Sequence, residues 1–363
     1  MGNYKVLCLA GDGIGVEVMD STKKLIAVIS SKFNLKFEIT DRLIGGIAID
    51  KEGSPISDET IEVAKNSDFV LLGAVGGLKW DNLSTNQRPE AGLLKIRKSM
   101  NLYANLRPIV VFDELIDSSP LKPEYIKGLD LMIIRELVGG LYFGEPKGIS
   151  EKDGERYGYN TLAYKESEIE RILKVAFEIA KQRNNKVCSV DKANVLDSMR
   201  LWREVAIKTH HKYSDVELSH MYVDAMAMEL IKCPKKYDVV VTENMFGDIL
   251  SDLGSQLTGS IGMLASASLG ELNGKKTALY EPVHGSAPDI AGQGISNPMA
   301  MMLSFAMAMK YSCKLDNIAQ EIELAVRKAI SLGYKTRDIT KKDEKFYSTS
   351  EVTDKICEII SGN

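Results

Sequence analysis

Asp248 and Asp252 stand four residues apart in Asn244-Met-Phe-Gly-Asp-Ile-Leu-Ser-Asp-Leu-Gly, a stretch that reads as the start of a helix. That spacing puts both carboxylates on one face, where they can share a divalent cation. Without a cation the two repel. The competing reading, first-turn aspartates favoured by the helix dipole, suits Asp248 better than Asp252. Arg135 closes the apolar run Leu131-Met-Ile-Ile134, at the carboxyl end of a predicted buried strand. Ligands of parallel α/β sheets gather at that end, and a guanidinium there needs a substrate carboxylate or a structural ion pair. Arg97 and Arg107 bracket the segment between them. Three arginines brought together would clamp a diacid, while each alone can be a solvated surface charge. Lys192 follows the apolar run Val187 to Val190, where it can act as a base of depressed pKa or sit on a rim.

These residues need a scaffold, and the chain alternates candidate strands with candidate helices. Tyr4 to Ala10, Phe69 to Leu72, Leu129 to Ile134 and Asp238 to Val241 are short apolar runs. Between them, Val18, Thr22, Leu25, Ile29 and Phe33 fall on one helical face. Ile169, Ile172, Leu173, Ala176, Phe177 and Ala180 form a second stripe within Ser167 to Gln182, with Ser167 and Glu170 as a capping box. Such alternation predicts an α/β architecture with a largely parallel sheet. The last hundred residues read as mostly helical, including Asn297 to Ser312 and Asn317 to Leu332. The loop Gly11-Asp-Gly-Ile-Gly15 after the first strand suggests a dinucleotide fold, with Asp41 as a ribose partner. However, the third glycine of G-x-G-x-x-G is replaced by Val16, and a tight turn alone also explains the glycines.

The bulk properties bound the function. At 363 residues the chain exceeds what one core usually serves, so two domains are expected. A net charge of -4, with no run of five like charges, argues against a nucleic-acid partner. Cys8, Cys188, Cys233, Cys313 and Cys357 are scattered and odd in number, which fits reduced thiols in a cytoplasmic compartment better than a disulfide framework. The opening MGNYKVLCLAGDG lacks the apolar length of a signal peptide, Val6 stands where a myristoylation signal wants Ser or Thr, and Met299 to Met309 is too short for a bilayer. No membrane association is expected.

Several segments together match a known pattern. They are Arg88-Pro-Glu-Ala-Gly-Leu-Leu-Lys-Ile-Arg97, Arg135-Glu-Leu-Val-Gly-Gly-Leu-Tyr-Phe-Gly144, Asp191-Lys-Ala-Asn-Val195, Asn244 to Asp252, and Glu281-Pro-Val-His-Gly-Ser-Ala-Pro-Asp-Ile290 followed by Asn297-Pro298. The chain thereby resembles the β-decarboxylating dehydrogenases, the family of isocitrate and isopropylmalate dehydrogenases. The resemblance implies the two-domain fold of that family, not a true Rossmann fold. Residues 1–102 and 259–363 would form a nucleotide-binding domain from both chain ends, and residues 103–258 a central domain with the metal ligands and the dimer contact.

By the same resemblance, Arg97, Arg107 and Arg135 bind the substrate carboxylates, and Asp248 and Asp252 bind Mg²⁺ or Mn²⁺ together with the partner subunit's Asp224, which also faces substrate. Tyr142 and the partner subunit's Lys192 become the acid/base pair. NAD lies along the later loop, on His284, Gly285, Ser286, Ala287, Pro288, Asp289, Ile290 and Asn297, which removes the first glycine loop as the cofactor site. Glu90, Leu93, Leu94 and the partner subunit's Val195 border the substrate, the apolar ones forming a wall. The implied reaction is NAD-dependent oxidative decarboxylation of a 2-hydroxy diacid in a homodimer with shared sites. The first expectation for the diacid is 3-isopropylmalate, in leucine biosynthesis, ahead of isocitrate, homoisocitrate, D-malate or tartrate. A non-catalytic regulatory subunit would show losses among the metal aspartates, Tyr142 or Lys192, and none is missing.

Overall fold

The computed structural model describes residues 2–362. Its strands are, in chain order, β1 (Asn3–Gly11), β2 (Lys36–Asp41), β3 (Phe69–Ala74), β4 (Leu102–Val110), β5 (Asp130–Glu136), β6 (Gly148–Lys152), β7 (Glu155–Tyr159), β8 (Lys186–Asp191), β9 (Glu217–Tyr222), β10 (Val239–Thr242), β11 (Ala265–Leu272) and β12 (Lys275–Pro282). Two compact units form: Met1–Leu102 with Phe112–Pro120 and Thr258–Asn363, and Tyr103–Val111 with Leu121–Leu257.

In the first unit the strand order is β2-β1-β3-β12-β11. The first three pairings are parallel, and β11 and β12 form an antiparallel hairpin. Every residue of β3 is buried, as its unbroken apolar sequence requires of a strand covered on both faces. The helix Gly15–Phe33 buries Val18, Thr22, Leu25 and Ile29, the stripe read from sequence. The helix Met299–Tyr311 is apolar all round and buried from Met299 to Met309. The hairpin corrects the expectation of a mostly helical C-terminal third. Asn273 and Gly274 both have positive φ, the geometry of a two-residue turn that fits the strand twist.

In the second unit the order is β4-β5-β10-β8-β9, antiparallel at β4–β5 and parallel elsewhere. The helix Glu166–Lys181 buries all six stripe residues. Its start differs from the expected Ser167–Glu170 box: Lys165 is the N-cap, and the Glu168 carboxylate accepts the Lys165 N–H at 2.8 Å. Glutamates at every second position let more than one register satisfy the local rule, and packing of the stripe chose this one. The segment 112–120, expected within the central domain, groups instead with the chain ends. The Arg327 guanidinium lies 4.6 Å over the Phe112 ring, and Lys341 pairs with Asp117 at 3.0 Å.

Phe177 is fully buried on that stripe and stacks on Tyr213 at 4.9 Å. Phe177→Ala should cost about 3–5 kcal/mol of stability, read as a lower denaturation midpoint, and Phe177→Leu less. Equal midpoints for Phe177→Ala and wild type would contradict this packing.

Candidate active site

In the second unit, β4, β5, the turn Gly140–Tyr142 and the helix Asn244–Leu257 bring five candidate side chains to one place. Arg107 and Arg135 are buried, which removes the surface-charge reading for Arg107. Arg107 Nε donates to Asn105 Oδ1 at 2.7 Å, and its Nη1 reaches Ser251 Oγ, Asp248 Oδ1 at 3.4 Å and Asp252 Oδ1 at 3.7 Å. Arg135 Nη1 forms a close ion pair with Asp248, and its Nε donates to Asn244 Oδ1 at 2.9 Å. Tyr142 donates its hydroxyl hydrogen to Asp248 Oδ2 at 3.0 Å while its ring lies 5.7 Å from the Arg135 guanidinium. The helical spacing read from sequence thus holds: both aspartates face the arginines.

The electrostatics suit the chemistry. Burial raises the Tyr142 hydroxyl above its ordinary pKa, and the Asp248 charge adds to this, so the phenol keeps its proton. Burial, together with repulsion by Asp248, also raises the Asp252 carboxyl despite Arg107. Two oxygen-donor carboxylates a helical turn apart, with Asp252 mostly exposed, fit a hard divalent cation. Among the described residues no three His, Cys, Asp or Glu side chains gather into a metal-holding group.

Lys192 and Asp224 pair with each other. Lys192 follows the end of β8, Asp224 opens the helix Val223–Lys232, and their side chains pair at 2.9 Å. Neither is hydrogen-bonded or ion-paired to Asp248, Asp252 or Tyr142 among the described residues. The Lys192 ammonium also lies 5.8 Å from the Tyr222 ring. Val195, just beyond, is exposed.

The first unit carries the remaining candidates. Arg97 is buried and pairs with Glu281 at 2.5 Å, while its Nε finds no hydrogen-bond partner among the described residues. Leu93 and Leu94, a turn earlier in the helix Pro89–Ser99, are half-buried rather than core, so part of their apolar surface stays open. Glu90 reaches toward Gly76, as does Ser286.

The loop from His284 to Asn297 is anchored at both ends. The Ser286 carbonyl accepts the Ile14 N–H at 2.8 Å, and the Glu17 carboxylate accepts the Gly292 N–H and the Ser296 hydroxyl, the latter at 2.7 Å. Asn297 accepts the Met299 N–H at 3.0 Å and donates to Asp338 at 3.0 Å. Between the anchors Gly285, Pro288 and Asp289 are exposed, with Ala287 and Ile290 half-buried. The buried His284 Nε2 has no partner among the described residues, and burial lowers the imidazole pKa. An anchored loop with an orphaned ring nitrogen and an open carboxylate fits a nucleotide.

The Gly11–Gly15 loop has a different task. Its Asp12, Ile14 and Gly15 N–H groups already donate to Ala74, Ser286 and Asp12 carbonyls, so none of these three is left to cradle a phosphate. Asp41 pairs with Lys23 at 2.6 Å. Sequence reasoning missed Asp12, whose buried carboxylate accepts the N–H groups of Gly46, Ile47 and Gly76 at 2.7, 2.8 and 2.9 Å. It also missed Asn105, Ser251, Asn244 and Glu281 as partners of the arginines. A polar residue inside an apolar strand was the available signal for Asn105; for Glu281 only the fold could show the contact.

Because Asp248 faces both arginines, Asp248→Asn should destabilise the metal-free protein by about 1–3 kcal/mol. Asp252→Asn, at a largely exposed carboxylate whose charge Asp248 opposes, should leave stability within about 1 kcal/mol of wild type in either direction. Chemical denaturation checks both, and equal losses would show that Asp248 is not the principal counter-ion.

Residues 5–356 match the family model described as isocitrate/isopropylmalate dehydrogenase. The chain is 52% identical over 358 residues to a 3-isopropylmalate dehydrogenase from Aquifex aeolicus, covering 99% of this chain and 97% of that one. It is 55% identical over 354 residues to a protein of the same name from Paramagnetospirillum magneticum, covering 96% of each. Among solved structures it superposes on an isocitrate dehydrogenase from Methylococcus capsulatus with a TM-score of 0.85 at 30% identity, covering 99% of both chains. A β-decarboxylating dehydrogenase from Thermococcus kodakarensis gives a TM-score of 0.79 at 32% identity, covering 99% of this chain and 96% of that one. The α/β fold, the arginine–aspartate–tyrosine group and these full-length likenesses agree: the chain is an oxidoreductase of the isocitrate/isopropylmalate dehydrogenase family.

Proposed function

We propose that this protein oxidises 3-isopropylmalate at C2 with NAD⁺ and releases CO₂, giving 4-methyl-2-oxopentanoate for leucine biosynthesis in the cytoplasm. The observation that carries the reading is the gathering of Arg107, Arg135, Asp248, Asp252 and Tyr142 in a chain more than half identical to proteins bearing that enzyme's name. Leu93 and Leu94 favour an isopropyl group over a third carboxylate, since their open apolar surface would desolvate a charge without pairing it. The five free cysteines among the described residues support a reducing compartment.

Asp248 and Asp252 would hold Mg²⁺ or Mn²⁺, with the partner subunit's Asp224 as third carboxylate. When bound, the cation supplies Lewis acidity at the 2-hydroxyl and its neighbouring carboxylate. Arg107 and Arg135 hold the substrate carboxylates, and Arg97 has the same role with its free Nε. The partner subunit's Lys192 would take the hydroxyl proton, and bound NAD⁺ would supply the acceptor for the hydride that leaves C2. The oxidised diacid is a β-keto acid, and its C3–carboxylate bond breaks to release CO₂ while the electron pair stays on C3. Tyr142, which keeps its proton, then protonates C3. His284, Gly285, Ser286, Ala287, Pro288, Ile290 and Asn297 line the nucleotide, and the Asp289 carboxylate receives the adenosine ribose hydroxyls, repelling a 2′-phosphate. Glu90 borders the substrate beside Leu93 and Leu94, and the partner subunit's Val195 completes the wall.

The working unit in this reading is a homodimer. The hairpin β6–β7 stands as its own two-stranded sheet with Ile149 and Tyr157 exposed, and an isolated hairpin is marginal without further packing. Met228, Ile231 and Ile249 are also exposed, on the helices that carry Asp224 and Asp248. A second copy would cover both features.

NADH formation, compared across 3-isopropylmalate, isocitrate, D-malate and tartrate, tests the assignment. The expected kcat/KM is highest for 3-isopropylmalate, by about 10–200-fold if a few methylenes in an apolar pocket decide. Isocitrate turned over equally well would overturn it, and a preference for NADP would remove the role given to Asp289.

A further inference from the structure

Asn244 opens the site helix yet is itself fully buried, and it uses both ends of its amide. Its Oδ1 accepts the Arg135 Nε hydrogen at 2.9 Å. Its Nδ2 donates to the Leu137 carbonyl at 3.1 Å and to the Gly139 carbonyl at 3.0 Å. Its backbone N–H donates to the Tyr164 hydroxyl at 3.1 Å. Leu137 to Gly139 lead directly into the turn Gly140–Tyr142 that delivers the Tyr142 phenol to Asp248.

The same segment is gripped from its other side. The buried Glu136 carboxylate accepts the N–H groups of Val138 at 3.2 Å and Gly139 at 2.8 Å, and Arg171 pairs with it at 3.2 Å. The Tyr164 ring packs against the glycines: a Cβ on Gly140, where φ is +71°, would fall 2.4 Å from the Tyr164 hydroxyl. The backbone of 137–140 therefore has little freedom except where Asn244 sets it. One planar amide fixes the distance between the guanidinium that holds substrate and the loop that carries the proton donor.

We propose that Asn244 is a positioning residue that locks the Arg135 guanidinium and the Tyr142 loop into one rigid constellation. This rests on the functional reading above, in which Arg135 binds a carboxylate and Tyr142 protonates C3. The two halves of the amide then have separable effects. The acceptor half governs how Arg135 holds substrate, and the donor half governs where Tyr142 sits when the substrate is bound. Loss of the two hydrogen bonds to the Leu137 and Gly139 carbonyls frees the segment before Tyr142, and small misplacements of such groups cost large factors in rate.

Two substitutions separate the halves. Asn244→Asp keeps an oxygen for Arg135 and removes both amide donors. Asn244→Ala removes the whole side-chain amide and keeps the backbone N–H bond to Tyr164. The expected result for Asn244→Asp is kcat down about tenfold with KM for 3-isopropylmalate within about twofold of wild type; Asn244→Ala adds a KM rise of about tenfold. KM for NAD should stay at the wild-type value in both. Wild-type kinetics in either variant would overturn the proposal. So would an equal fall in kcat in both with KM unmoved, which is the mark of a smaller folded fraction. If thermal melts show that the Asn244 variants do not fold, Glu136→Gln reads the same segment from its other side. It should lower kcat several-fold with KM for the diacid unchanged, and a wild-type kcat there would overturn the proposal. Wild-type protein is assayed first. No turnover of 3-isopropylmalate by wild type would refute the substrate assignment, and the Asn244 comparison is then made with whichever 2-hydroxy diacid it does oxidise.

Discussion

The Asp248 carboxylate is the charge on which the site depends. Two buried guanidiniums, Arg107 and Arg135, face it, and the Tyr142 hydroxyl donates to it. An arginine buried without an anion costs several kcal/mol, so the strands that carry these arginines need the site helix packed against them. Asp252 adds a second negative charge on the same face. The group is therefore neutral as it stands, two cations against two anions. A divalent cation alone would upset that balance, and a dianionic substrate alone would upset it in the opposite sense. Together they restore it, which gives a physical reason why the proposed site would take a metal and a diacid as a pair.

The same bookkeeping applies to the other groups. Lys192 and Asp224 neutralise each other within one chain, and Arg97 is matched by Glu281. In the proposed homodimer a neutral Lys192–Asp224 pair would approach the Asp248 group of a second copy without an electrostatic penalty and would then separate, the carboxylate serving the cation and the ammonium the substrate hydroxyl. The loop proposed to hold the nucleotide follows a different logic. It is held by the Ile14 N–H and the Glu17 carboxylate, while the His284 Nε2 has no partner among the described residues and Asp289 is exposed.

Local periodicity made much of this legible from sequence. The four-residue spacing of Asp248 and Asp252, the position of Arg135 at a strand end and the stripe of the helix Glu166–Lys181 all depend on residues close in the chain, and all appear in the structure. What escaped was long-range or locally ambiguous. Asp12 gains its role only when loops near Gly46 and Gly76 come to it. Asn244 was visible as part of a motif, but its function lies in contacts with residues more than a hundred positions away. The β11–β12 hairpin was missed although Asn273-Gly274 is a strong turn signal. Its flanking Ala-Ser-Ala-Ser and Thr-Ala-Leu-Tyr runs are short in large apolar residues, and the strongly helical stretches after them dominated the reading.

In the proposed homodimer Lys192 and Asp224 of a second copy complete the Asp248 group, and mixing two inactive variants tests this. Homodimers of Lys192→Ala and of Asp248→Ala should each be nearly inactive. In a mixed dimer one site keeps Asp248 on one chain and receives an intact Lys192 from the other, while the second site carries both lesions. With random exchange of equal amounts, confirmed by mass spectrometry of differently tagged chains, NADH formation from 3-isopropylmalate should return to about a quarter of the wild-type rate. Confirmed mixed dimers with no recovered activity would contradict the account.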